Sequence, residues 1–222
     1  MNSLRFAVHE SARSPHAEIW FAEPPGFTAI PLGVLLTPQG SPAFDTLDTA
    51  VAALLESAPD ERVRQLLIAQ LAKGKALLAS LVEVGTAHCS IGLHRDDHPK
   101  SGGTPHPLLS LLTLTWRSTA TAPSALTAAR AVASEGHPHS RVEYLDRLAC
   151  GPVTLGEVVR TPLPGTGLPT RPLLQVHAYL PHPDRKRMAV FTLSSAAVER
   201  REEYRGLLRR VVELVSFEEP TG

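Results

Sequence analysis

Hydrophobic and polar positions alternate with period two near the start of the chain and over much of its second half, and with period near 3.6 in a block between them and again at the C-terminal end. Leu4, Phe6 and Val8 alternate with Arg5, Ala7 and His9, the spacing of a half-buried strand. Residues Glu18 to Ala22 read as a second short strand. Pro24, Pro25 and Gly26 then turn the chain into Phe27 to Leu32, where Pro31 fits only an edge or a strand end. After the punctuation of Pro38 to Pro42, Phe44, Leu47, Val51, Leu54 and Leu55 recur at helical spacing. A second helix opens at Asp60 and Glu61, with its acids where the helix dipole favours them, and runs through Val63, Leu66, Leu67, Leu71, Leu77, Leu78 and Leu81.

Beyond Gly85 the period returns to two. Ala87 to Leu93 and Leu108 to Ser118 read as strands, and the second is apolar on both faces, as a central strand must be. An Ala-rich helix over Ala120 to Ser134 precedes strands at Arg141 to Cys150, Val153 to Thr161, Leu173 to Leu180 and Arg187 to Leu193. The last segment carries one stripe of Tyr204, Leu207, Leu208, Val211, Val212 and Val215, with Glu199, Glu202 and Glu203 early and Arg209 and Arg210 late. It must dock on a sheet. Strands in runs and helices in blocks predict an α+β fold with a largely antiparallel sheet. With no repeat or linker, residues 1–222 read as one domain that contains a helical pair at about 44–84.

Composition narrows the partners. Twenty-two basic side chains balance 22 acidic ones, so the electrostatic footprint of a protein bound to nucleic acid or to an anionic membrane is missing. The start has no apolar signal region and no stretch reaches membrane-span length, which predicts a cytoplasmic protein with no membrane partner. Eighteen Arg against four Lys and a single Asn match the coding bias of a GC-rich, actinobacterial genome. The Arg-rich surface is therefore weak evidence for phosphate binding. Cys89 and Cys150 read as buried thiols.

The segment His94 to Pro107 is rich in Pro, Gly and charge and reads as a long loop. In it His94, Asp96, Asp97, His98 and His106 gather the imidazole and carboxylate ligands that zinc takes. Pro99 and the glycines leave no rigid helix to aim His94 and His98 together, so a solvated loop competes with a metal site. His137 and His139 form a shorter pair of the same kind. Ser194 and Ser195, at a strand-to-helix junction, fit hydroxyls capping free amides. Gly165 and Gly167 lack the helix and spacing of a dinucleotide loop, and no cofactor is expected. Trp20, Phe21 and Phe27 flank the Pro-Pro-Gly turn either as an aromatic anchor for a partner or as core. The second helix, apolar over much of its circumference, needs cover from the sheet and its neighbour or from another chain, and homodimerisation or partner docking is the expectation there.

One longer pattern spans the C-terminal third: a strand at Leu173 to Pro181, a second at Arg187 to Ser195, then the helix ending at Phe217. With Phe191 to Tyr204, an apolar strand, a Ser turn and an acidic first helical turn carrying a Tyr, this order resembles the PsbP-like superfamily. That superfamily takes in the extrinsic photosystem II subunit, a Ran-binding import factor, bacterial lipoproteins and chaperones of secretion effectors. Phe27 to Leu32 is similar to the family's opening strand. The resemblance implies an α/β/α sandwich and a non-catalytic module that binds another protein as an adaptor or chaperone. The alternative is a metal-dependent or small-ligand enzyme built on the loop from His94 to His106.

Overall fold

Residues 107–118, apolar on both faces, need a strand along each edge and a covering layer on each side. The computed structural model of the chain describes residues 6–7, 19–32, 49, 51–52, 55–56, 58, 60–65, 67–69, 81, 84–95, 107–134, 140–161 and 171–218. Its elements are β1 (Phe6–Ala7), β2 (Phe21–Ala22), β3 (Phe27–Ala29), β4 (Thr86–Arg95), β5 (Pro107–Ser118), α1 (Ser124–Ser134), β6 (Arg141–Leu145), β7 (Val153–Arg160), β8 (Leu173–Pro181), β9 (Arg187–Ser195) and α2 (Arg201–Glu213), which a 3-10 turn at Val198–Arg200 leads in. Helical backbone also occurs at residues 51–52, 55–56, 61–65 and 67–69.

Seven strands form one antiparallel sheet in the order β3-β4-β5-β9-β8-β7-β6, and β1 pairs with β2 apart from it. The fold is mixed α+β. Two meanders, β3-β4-β5 and β6-β7-β8-β9, meet where β9 lies beside β5, with Leu112 opposite Leu193 and Leu114 opposite Phe191. Thus β5 has a strand on each edge, as its two apolar faces require.

Successive residues of a strand point to opposite faces. One set, including Leu112, Leu155, Val176, Ala178, Leu180, Phe191 and Leu193, packs in a single core with Tyr204, Leu208, Val211 and Val212 of α2 and with Ile19 and Phe21. The alternate set includes Tyr179, Met188 and Val190, which pack with Ala131 of α1. At the β4 end, Cys89 and Ile91 pack with Ile30 and Leu32, against which Val51 and Leu81 lie. Each large side chain buried this way contributes about 1.5–3 kcal/mol of transfer free energy.

Local chemistry sets several boundaries. The Asp60 carboxylate accepts the Val63 amide at 2.8 Å, capping the helix that opens there, and Val63 and Leu67 on its apolar stripe are buried. The Ala-rich helix starts at Ser124 and not at Ala120, because Pro123 pushes the residue before it out of helical backbone. The strand expected over Arg141 to Cys150 ends at Leu145; the chain turns over the next residues, with Gly151 at φ 95° before β7. His94 belongs to β4, paired with Leu108, and not to the following loop. Cys89 and Cys150 are buried and unbridged. Among the described residues no helix is long and apolar enough to cross a membrane.

Candidate functional site

The far end of the sheet brings together α1, β6 and β7. In α1, the small side chains of Ala128 and Ala131 are buried, so the helix lies close on the sheet, and the Thr154 hydroxyl of β7 donates to the Ala128 carbonyl at 2.7 Å. Helix and strand are thereby tied in register. β6 pairs with β7 from Arg141 opposite Glu157 to Leu145 opposite Val153, and it is the last strand in the order. Among the described residues, its outer edge has no strand beside it.

The two faces of β6 differ. Val142 and Tyr144 line a groove of about 540 Å³ with Ala125, Leu126 and Ala129 of α1 and with Thr154. Val142 is 52% exposed and Tyr144 46%, and Leu126 is exposed beside them. An edge that combines free backbone groups with large apolar side chains is what proteins ordinarily cover or blunt.

On the opposite face, Arg141 and Glu143 meet α2. Glu143 accepts Arg205 Nη2 at 2.6 Å and Arg209 Nη1 at 2.7 Å, and Arg209 also reaches Glu213 at 3.1 Å. Arg141 pairs with Glu202 at 2.6 Å. The hydrogen bond from Arg205 holds the Glu143 carboxyl below its ordinary range; partial burial opposes this, and the charges of Arg209, Arg205 and Arg141 add to it. These groups border an open polar depression of about 350 Å³. The arrangement can hold a strand on the β6 edge, offering backbone hydrogen bonds, apolar contacts on one face and paired charges on the other.

The three aromatics near the Pro-Pro-Gly turn sit away from this edge, Phe27 on β3 at the opposite end of the sheet and Phe21 against β9 at its middle, and contribute mainly to the core. Trp20 is 8% exposed, with its backbone bridged to Ser216 in both directions at 2.8 and 2.9 Å. Phe21 is 0% exposed and meets the Phe191 and His88 rings edge-on, at 5.1 and 5.0 Å. Phe27, half-buried, lies across Gly92 and contacts the His94 ring at 5.3 Å. Burial lowers the pKa of His94. Asp96, His98 and His106, and likewise His137, His139, Gly165 and Gly167, lie outside the described residues. Among the described residues no three His, Cys, Asp or Glu side chains come together as metal ligands. Ser195 Oγ accepts the Ala197 amide at 3.2 Å and donates to the Leu109 carbonyl at 3.1 Å, while Ser194 Oγ accepts from Gln175 Nε2 at 3.5 Å; neither the 3-10 turn nor α2 has a side-chain cap, so the hydroxyls expected to cap the helix tie the end of β9 to its neighbours instead.

The residues that build the β6 edge were readable only as a charged and apolar alternation from Arg141 to Leu145. Nothing in that alternation says that the strand is an edge. Comparison of the chain with family models, curated proteins and solved structures returns no match.

Proposed function

We propose that this protein is a non-catalytic protein-binding module, an adaptor or chaperone of the cytoplasm, with the α/β/α sandwich of the PsbP-like superfamily. The observation that carries this reading is the outer edge of β6, which among the described residues has no strand beside it and runs alongside exposed Val142, Tyr144 and Leu126. A partner strand laid there gains main-chain hydrogen bonds for affinity and an apolar groove for alternate side chains, the two ingredients of strand addition. Burying those three side chains would contribute several kcal/mol before the entropic cost of association is met.

The test is site-specific photo-crosslinking in cells, with the reactive residue at position 142 or 144 and, as a control, at the exposed Leu214 at the far end of α2. Discrete protein adducts from 142 and 144 and none from 214 are expected. Equal labelling from all three, or none, would refute a docking edge at β6.

A further inference from the structure

A strand that pairs with a copy of itself about a two-fold axis sets residue n opposite its own equivalent, and the residues on either side opposite one another. For β6 the choice of axis decides which charges meet. Centred on Glu143, the two glutamates face each other; centred on Arg141, the two arginines do. Centred on Val142, Arg141 of each chain stands opposite Glu143 of the other, twice, and Val142 meets its equivalent. Unlike charges directly opposite stabilise an antiparallel pair and like charges destabilise it.

The rest of the edge agrees with that register. Arg141 and Glu143 lie on the α2 face, where Glu202 and Arg209 extend the alternation of charge. Val142 and Tyr144 lie on the α1 face, so the two-fold joins the two apolar grooves side by side. Resting on the reading that β6 is a docking edge, we propose that its occupant is β6 of a second copy, antiparallel and centred on Val142, making one continuous sheet across the dimer. This places self-association at the sheet edge and not on the helical pair at 44–84.

Sedimentation of the full chain across micromolar concentrations tests it, and the mass of two chains is expected. Arg141→Glu sets glutamate against Glu143 at two places and should raise the dimer dissociation constant about tenfold or more. Because Arg141 also stands opposite Glu157 within its own sheet and pairs with Glu202, that variant should melt below the parent, so its dissociation constant is read at a temperature where circular dichroism shows it folded. Val142→Cys sits on the axis at disulfide distance from its equivalent, so mild oxidation with glutathione disulfide should link it into dimers, and Tyr144→Cys should link far less. A monomer at every concentration overturns the proposal, as does a dimer that ignores Arg141→Glu and fails to link through residue 142. If the chain is monomeric and the photo-probe at 142 captures a different protein, the second-copy proposal falls and the docking edge stands. If it is monomeric and the probe captures nothing, both fall.

Discussion

Replacing Gly92 with alanine tests how tightly β3 is locked to the sheet. A Cβ at Gly92 would lie 2.5 Å from Ser110 Oγ and 2.6 and 2.8 Å from Cζ and Cε2 of Phe27. Carbon atoms in contact need about 3.5 Å or more. The Ser110 hydroxyl can rotate away, but the Phe27 ring is packed against the main core and must carry β3 with it. Overpacking of this kind costs about 1–3 kcal/mol, which in a chain of this length lowers Tm by roughly 3–9 °C. Urea unfolding followed by circular dichroism would read it as a lower midpoint at unchanged slope. Phe27→Leu removes the crowding atoms, so the double variant should be more stable than the sum of the single changes by about 1 kcal/mol. Strict additivity, or a Gly92→Ala variant within about 0.5 kcal/mol of the parent, would refute the argument.

Two further outcomes rest on the ion pairs and the thiols. Glu143→Gln leaves the buried Arg205 guanidinium without its carboxylate and should cost about 1–3 kcal/mol in urea unfolding near neutral pH. Because folding lowers the Glu143 pKa, its contribution is complete above the ordinary value of 4.5 and is lost as pH falls below it; the parent should lose stability there more steeply than Glu143→Gln, and parallel profiles would count against the pairing. Burial pushes the Cys89 thiol up to about 12 and the Cys150 thiol to about 11. Both should resist iodoacetamide in the folded protein at neutral pH and react fully in denaturant, and stoichiometric labelling of the native chain would contradict their burial.

How far the sequence reached depends on the range of the interaction. The stripe of α2 was legible because helical spacing places Tyr204, Leu208, Val211 and Val212 on one face, and all four are buried. The central place of β5 was legible because both of its faces are apolar. Arg205 reads as a surface residue beside that stripe, and it is buried because Glu143, 62 residues away in sequence, reaches across from β6 to meet it. The aromatics at 20, 21 and 27 left both core and surface open, since what decides between them is the contact of Phe21 with Phe191 and the bridge from Trp20 to Ser216. The edge status of β6 depends on strand order, and no local pattern records that order.

The seat of β9 between β5 and β8 has a consequence for synthesis. While the chain emerges from the ribosome, β4 and β5 can zip together as a local pair with β3 already made, yet the far side of β5 stays bare until Arg187–Ser195 arrives. Through that interval a twelve-residue strand, apolar on both faces, offers its backbone to any neighbouring strand. Closure of the sheet is thus a late and long-range event, and the rate of translation through residues 119–186 sets how long the nascent chain is exposed to mispairing.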